Sequence, residues 1–484
     1  MEKRSSLIKN TVVIAVGKIF TQFLSFLLLP LYTAYLSASA YGSVDLIMTA
    51  VALLTPLITL SLEMAAFRFL IDSRGDELSK RRIISSVARI VGSATLIFIT
   101  IFSIINIFAT IPYGWLAVST VVATISANML LQIVRGLGDN IRYSIASVIA
   151  GATTILANIL FIVWLGMGAQ GILLAVILGN IACATYLFIS QKIYKYISVS
   201  IRDVKLERML MRYSMPLIPN GVSWWLLNAA DRTIIAIALG VASNGIYAIA
   251  YKFPSLLSSV FSFFAMSWTE SASMNIDTKD RDAYFSQTMN AAVKFFGSAV
   301  VLIVSVIPLI FSWFINATYD ESYSYIPPLI LGSFMNSVVQ MYGAIYIAKK
   351  MTRQVMSSTV VCALISLLIT ICLIQWLGLF APALAMVFAY GAMVIYRHLD
   401  VKKYVKITYD YKSFAILALA FIVVSSLYYA NNPSLNILNM VVAMAVSVNL
   451  NRSIISIIKT KLFARLRPLT ADQQILEEIE EKKL

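Results

Sequence analysis

The order of apolar and polar positions divides the chain into long apolar runs separated by short polar segments. Each run is close to the ~20 residues that a helix needs to cross a bilayer. The pattern predicts fourteen spans, at 10–36, 42–70, 83–109, 115–134, 142–165, 170–190, 213–239, 245–270, 285–312, 326–348, 355–377, 380–397, 413–430 and 434–457. The alternating strands of about ten residues that are typical of membrane barrels are not seen. We therefore predict an all-α integral membrane protein.

The loops between these spans alternate in charge. One set contains no lysine or arginine, and it comprises the segments 37–41, 111–114, 166–169, 240–244, 313–325, 378–379 and 431–433. The other set contains basic clusters such as Lys80–Arg82 and Lys402–Lys403. Because basic loops stay on the cytoplasmic side of a membrane, both termini are predicted to be cytoplasmic. The expected location is a bacterial inner (cell) membrane, crossed many times.

Composition agrees with this assignment. Apolar residues make up 60% of the chain and charged residues 13%, whereas soluble domains are roughly 45–50% apolar. The net charge of +15 is attributed to the cytoplasmic loops, and nucleic acid is not an expected partner. The cysteines Cys183, Cys362 and Cys372 are scattered along the sequence, and His398 is the single histidine. The sequence therefore predicts no disulfide framework, metal site or cofactor.

Two short turns indicate an internal repeat. Leu36–Gly42 and Leu239–Gly245 each begin with leucine, end with glycine and follow a span that contains proline, and they lie 203 positions apart. Six spans separate the turns, so the two halves have the same orientation, as in parallel-repeat transporters. We predict two pseudo-symmetric six-helix lobes around a central cavity, plus two C-terminal helices. The expected parts are an N-terminal lobe (1–190), a cytoplasmic linker (191–212), a C-terminal lobe (213–397), two additional helices (398–458) and a cytoplasmic tail (459–484).

Several ionisable residues lie inside predicted spans. Arg68, Arg89 and Lys294 are close enough to helix ends for their side chains to reach the interface. Five other residues lie too deep in their spans for this explanation, and they are Lys18, Glu63, Asp231, Arg232 and Lys252. Counting from the helix midpoints at ~1.5 Å per residue, the first two lie roughly 7–10 Å to the cytoplasmic side and the other three roughly 7–9 Å to the outer side.

Charges at this depth are expected to face a wet cavity or a partner. Arginine and lysine in such a cavity suit an anion, and arginine binds phosphate with two hydrogen bonds. If transport is coupled to H⁺ or Na⁺, Glu63 and Asp231 are the candidate carboxylates. A structural ion pair is the alternative interpretation for both Asp231 and Arg232, and Glu63 could simply be the partner of Lys18.

Two stretches of the sequence resemble a known family. The first is Leu7–Thr11, Gly17-Lys18, Phe23–Tyr32, Tyr41-Gly42 and Asp45–Ile47; the second is Pro216–Pro219, Ser223–Trp225, Asn228, Asp231-Arg232, Gly245–Tyr247 and Tyr251-Lys252. Both are similar to Wzx-type polysaccharide flippases of the multidrug/oligosaccharidyl-lipid/polysaccharide exporter (MOP) superfamily. The resemblance extends over roughly residues 7–400.

The resemblance implies a function. Such flippases move polyprenyl-diphosphate-linked oligosaccharide repeat units to the outer leaflet by alternating access, for O-antigen, capsule or exopolysaccharide synthesis. By position, Lys18, Arg232 and Lys252 match the basic residues that bind the diphosphate. The implied partners are the lipid-linked glycan, a coupling ion, membrane lipids, and glycosyltransferases or a polymerase.

Other functions stay open at this point. Fourteen spans also fit a lipid II-type peptidoglycan precursor flippase, and a multidrug exporter of the same superfamily is a close rival. A membrane enzyme would need a catalytic motif, and Asp280-Arg-Asp282 is better explained as a solvated charge run than as a metal–nucleotide site. We therefore expect a transporter and not an enzyme. A structural scaffold would leave the buried charges unexplained.

Overall fold

The computed structural model describes residues 26–109, 111–198, 202–452 and 455–456, and their regular secondary structure is helical. Seventeen α-helices have both ends within these residues. They are α1 (Leu29–Tyr35), α2 (Ala38–Ile58), α3 (Leu62–Asp72), α4 (Glu77–Phe108), α5 (Gly114–Leu137), α6 (Asn140–Asn158), α7 (Gly168–Ser190), α8 (Val204–Ser214), α9 (Leu217–Asn228), α10 (Ala230–Leu239), α11 (Val241–Asn275), α12 (Arg281–Phe314), α13 (Ile326–Ala348), α14 (Thr352–Leu377), α15 (Phe380–Val401), α16 (Tyr411–Ala430) and α17 (Pro433–Leu450).

Twelve helical segments in the described part of the chain are long and apolar enough to cross a membrane. The all-α membrane class is thereby confirmed, and the chain is a multi-pass membrane protein. Two of the fourteen predicted spans are not among the twelve. Most of the span 10–36 lies outside the described residues, and the span 213–239 is divided between the shorter helices α9 and α10.

The prediction of one continuous span at 42–70 is wrong. Helix α2 ends at Ile58 and α3 begins at Leu62. Between them, Leu60 and Ser61 have positive φ angles of 52°, a left-handed conformation that costs a non-glycine residue about 1–2 kcal/mol. Pro56 lies in the last turn of α2 and has no amide hydrogen to continue the helix ladder, which weakens the helix just before the break.

The prediction of one continuous span at 213–239 is also wrong. The helix is interrupted at Ala229, whose φ and ψ angles are −142° and −17°. The backbone N–H of Ala229 still donates to the carbonyl of Trp225 at 2.8 Å, so α9 ends on a normal bond and α10 starts anew. Asp231 and Arg232 consequently lie in the first turn of α10 and not in the middle of a long helix.

The two repeat turns lead into helices that meet at their glycines. A Cβ atom on Gly42 would lie 2.0 Å from the carbonyl oxygen of Val241, and one on Gly245 would lie 2.0 Å from that of Ala38. The contact is reciprocal, because each glycine faces the residue four positions before the other. Only glycine permits helices to approach this closely, and α2 and α11 are therefore packed backbone against backbone.

The linker predicted at 191–212 contains part of α8, an amphipathic helix. The Asp203 side chain caps it by accepting from the Leu206 N–H at 3.0 Å. Glu207 faces inward and binds Arg89 of α4 at 2.7 Å. Arg89, for which the sequence predicts a side chain that extends to the interface, thus has a carboxylate partner.

The chain forms two compact units, one of residues 1–279 and 310–405 and the other of residues 280–309 and 406–484. The division into two six-helix lobes stays a prediction. In the second unit, residues 406–410 lie along α12 and are called here the clamp segment. The N–H groups of Lys406, Thr408 and Asp410 donate to side chains of Asp282, Ser286 and Asn290, at 3.3, 3.0 and 3.0 Å.

The clamp segment matches the helix in spacing. Four helical residues rise about 6.0 Å and two extended residues about 6.6 Å, so alternate amides of the segment meet every fourth side chain of α12. Lys294, one turn further along α12, binds the Asp410 carboxylate at 2.5 Å. The Asp282 carboxylate of the Asp280-Arg-Asp282 motif is engaged in this backbone contact.

Candidate functional site

An ion pair connects α2 with α10. The guanidinium Nη1 of Arg232 donates to Oδ1 of Asp45. The Asn244 side chain of α11 donates to the other carboxylate oxygen at 3.2 Å and to the carbonyl of Gly42 at 3.1 Å. The side chains of Arg232 and Asp45 are only 17% and 12% exposed. Removing one partner of such a pair would leave a buried charge without compensation, which costs about 3–5 kcal/mol.

Asp231 has a different partner. Its Oδ2 accepts from the hydroxyl of Tyr247 at 2.7 Å, and its Oδ1 accepts from the backbone N–H of Arg232 at 2.9 Å. Adjacent residues of a helix point about 100° apart, so Asp231 faces α11 while Arg232 faces α2. The two side chains therefore serve separate contacts.

Tyr251 of α11 contacts the guanidinium, and Lys252 follows it along the helix. The ring of Tyr251 lies under the Cζ of Arg232 at 5.1 Å, a cation–π distance. Lys252 is partly buried, and Asp45 and Arg232 are the charged groups that act on it. Among the described residues, the Lys252 ammonium has no hydrogen bond or salt bridge.

Not all hydrogen-bond donors of the Arg232 guanidinium have partners. Its Nε is buried and has no hydrogen-bond partner in the described part of the chain. The charged side chains of this cluster are the cations Arg232 and Lys252 and the anions Asp45 and Asp231, so the described charges sum to zero.

A more deeply buried arginine, Arg397, gives a contrast. Arg397 is 2% exposed, and all three of its guanidinium nitrogens donate. The acceptors are the carbonyls of Val339 and Val355 and the hydroxyls of Ser358 and Thr359, at 2.8–3.3 Å. The guanidinium also lies 5.7 Å from the ring of Tyr346. With its donors occupied by α13 and α14, Arg397 joins helices and is not available to a ligand.

The structure brings together three of the five residues singled out from the sequence. Asp231, Arg232 and Lys252 lie in one cluster. Glu63 lies in the first turn of α3 and accepts from the Thr59 hydroxyl at 2.8 Å, with no contact to that cluster among the described residues. Lys18 lies outside the described residues, so its pairing with Glu63 and its place in the cavity stay predictions.

Sequence reasoning missed Asp45, Asn244, Tyr247 and Tyr251 as members of the site. Asp45 lies one turn after the repeat glycine Gly42, and Asn244 immediately precedes Gly245. Had the two repeat turns been placed against each other, Asp45 and Asn244 would have been predicted as neighbours. The described residues contain no group of three His, Cys, Asp or Glu side chains that could hold a metal ion.

A cavity of about 350 Å³ lies between α14 and α15. Ser357, Ser358 and Tyr396 give it a polar edge, and residues such as Val361, Ile365 and Met393 line the rest. None of the cluster residues contributes to it.

Solved structures share this fold. The lipid II flippase MurJ in an inward closed conformation matches with a TM-score of 0.69 and 16% identity, covering 92% of this chain and 100% of that chain. An inward-facing multidrug resistance MATE family transporter of the MOP superfamily matches with a TM-score of 0.63 and 13% identity, covering 80% and 98%. A MOP superfamily transporter from Pyrococcus furiosus matches with a TM-score of 0.54 and 13% identity, covering 81% and 96%.

These likenesses show the fold, which is that of MOP superfamily transporters. No curated protein sequence matches the chain. The family model described as "Polysaccharide biosynthesis protein" matches residues 7–269, which is more than half of the chain. That range contains Asp45, Arg232, Asn244 and Lys252, and thus the whole charged cluster. The chain therefore belongs to the polysaccharide biosynthesis protein family.

Proposed function

We propose that the protein flips polyprenyl-diphosphate-linked oligosaccharide repeat units from the cytoplasmic to the outer leaflet of a bacterial inner membrane. The units would supply surface polysaccharide synthesis, with glycosyltransferases or a polymerase acting before and after transport. The observation that carries the proposal is that the polysaccharide family match, residues 7–269, includes the partly buried cations Arg232 and Lys252. The protein acts as a transporter and not as an enzyme in this proposal.

The chemistry of the cluster supports a phosphate-bearing substrate. A diphosphate offers acceptor oxygens with the spacing that a guanidinium fork matches, and Arg232 has an idle Nε donor among its described contacts. Lys252 supplies a second cation, and Lys18 is the third candidate ligand. Glu63 and Asp231 are the candidate carboxylates for coupling to H⁺ or Na⁺.

A transport assay with purified protein in vesicles tests the substrate. A fluorescent polyprenyl-diphosphate oligosaccharide is expected to cross the bilayer, whereas a cationic dye is not. Transport of lipid II in preference to the oligosaccharide carrier would support the peptidoglycan precursor flippase instead. Transport of the dye alone would contradict a lipid-linked substrate and favour a multidrug exporter.

The variant Arg232→Lys tests the site. Lysine keeps the charge and the pair with Asp45 but loses the planar fork, so transport is expected to fall by at least about tenfold. Arg232→Ala is expected to abolish it. Arg68→Lys is the matched control, because Arg68 is 48% exposed and pairs with Asp72 on its own helix. Normal transport by a stably inserted Arg232→Ala protein would remove Arg232 from the mechanism.

A further inference from the structure

Helix α2 is tied to the segment α9–α11 by a set of polar contacts. The Arg232–Asp45 pair and the two bonds from Asn244 are three of them. The indole N–H of Trp225 adds a fourth, to the carbonyl of Thr49 at 2.9 Å. With the glycine contact beside them, these links hold the two repeats together at the end of the helices that is predicted to face outward. We call this set the interrepeat latch.

The ion pair is the part of the latch that an anionic substrate can replace. Asp45 accepts a hydrogen bond from Nη1 of Arg232, whereas Nε of Arg232 has no hydrogen-bond partner among the described residues. A phosphate can accept from two adjacent guanidinium N–H groups, either from Nη1 and Nη2 or from Nη2 and Nε, and both are two-bond geometries that guanidinium favours. Lys252 lies within the same electrostatic surroundings. The phosphate thus gains contacts that the carboxylate of Asp45 does not make.

We propose that Asp45 is a positioning residue that acts as the internal counter-anion of Arg232. Substrate phosphate takes its place, and this exchange frees α2 from α10. No covalent bond changes in this step; one carboxylate–guanidinium contact is replaced by a phosphate–guanidinium contact. The identity of the incoming anion rests on the proposed function, whereas the latch itself rests on the contacts between α2, α10 and α11.

The first test measures binding, with geranylgeranyl diphosphate in detergent as the probe. Asp45→Asn removes the competing charge and leaves Arg232 free, so binding is expected to tighten by at least about tenfold, the scale of one net charge at short range. The matched control Asp72→Asn also removes the carboxylate of an arginine pair, but an exposed one, and should leave binding unchanged. Unchanged or weaker binding by folded Asp45→Asn would overturn the exchange, and so would a failure of both proteins to bind the probe.

The second test needs no substrate. A single cysteine is placed at Ser255, one turn after Lys252 on α11, in a variant whose three native cysteines are replaced. Labelling by a membrane-impermeant maleimide added outside is expected to rise several-fold in Asp45→Asn and to stay low in Asp72→Asn.

The charge exchange Asp45→Arg with Arg232→Asp restores the pair in reverse and is expected to return labelling to the original level. Rescue by the exchanged pair would not follow from a role of Asp45 in local folding alone. Equal labelling in all variants would overturn the latch. Because this measurement is independent of the diphosphate, a wrong substrate assignment and a wrong latch produce different results.

Discussion

The partly buried Arg232 and the fully buried Arg397 differ in how their donors are used. Arg397 donates from all three guanidinium nitrogens to α13 and α14, whereas Arg232 has one carboxylate partner and an idle Nε among the described residues. Gly343 leaves room for Arg397, since a Cβ there would lie 3.0 Å from its Nη1. A saturated guanidinium stabilises the fold, and an unsaturated one is suited to binding.

At the residue scale, Arg397→Met is expected to destabilise the protein. The substitution leaves the carbonyls of Val339 and Val355 with fewer donors and the hydroxyl of Ser358 without its two bonds from Arg397, at a cost of about 3 kcal/mol in all. Thermal unfolding in detergent measures the effect. Arg68→Met, which removes an exposed pair, should leave the melting temperature nearly unchanged. Equal melting temperatures for the two variants would contradict the structural role of Arg397.

At the element scale, the contact between α2 and α11 depends on the absence of side chains. Gly42→Ala places a methyl group against the carbonyl of Val241 and is expected to destabilise by about 1–3 kcal/mol, the usual cost of overpacking. Gly92→Ala in α4 is the matched control, because no atom of the described residues outside the backbone of its own helix lies within 4 Å of its Cβ position. That change should stabilise slightly, since alanine favours a helix by about 1 kcal/mol. The two glycines are therefore predicted to respond with opposite signs.

The clamp segment predicts a dependence on pH. The bond from Lys294 and the bonds from Ser413 lower the pKa of Asp410 to about 2. A carboxyl group with a lowered pKa stabilises the folded state above its unfolded pKa of about 4, and this contribution is lost as pH falls toward 2. Asp410→Asn is expected to be less stable than the original protein at pH 6 and equally stable near pH 2. A difference between the two proteins that does not change with pH would contradict this account.

Sequence patterns predicted most of these elements and failed at their interruptions. Hydrophobic runs locate membrane spans because burial in lipid depends on composition over ~20 residues. The break at Leu60–Ser61 has Pro56 as a local signal, but the break at Ala229 contains neither glycine nor proline. The site was predicted only in part. Arg232 and Lys252 can be identified from the sequence because they are charged residues within apolar runs. The pairing of Arg232 with Asp45 cannot, because it depends on which helices contact each other.

At the scale of the whole molecule, the alternation of basic and non-basic loops predicts a fixed orientation. The loops at Lys402-Lys403 and Asn431–Pro433 lie at opposite ends of α16. A fluorescent protein that folds only in the cytoplasm is expected to be active when fused after Lys403 and inactive when fused after Asn432. Alkaline phosphatase, which is active only outside, should show the reverse. The same activity at both positions would contradict the orientation.

The reciprocal contact of Gly42 and Gly245 has a consequence for the symmetry of the chain. Gly42 contacts Val241, and Gly245 contacts Ala38 in the same way. Because Gly245 and Val241 lie 203 positions after Gly42 and Ala38, the contact has the symmetry of an isologous homodimer interface. Two identical six-span polypeptides would bury the same glycines in the same way. A two-fold symmetric contact of this kind is what the predicted relation between the two lobes requires.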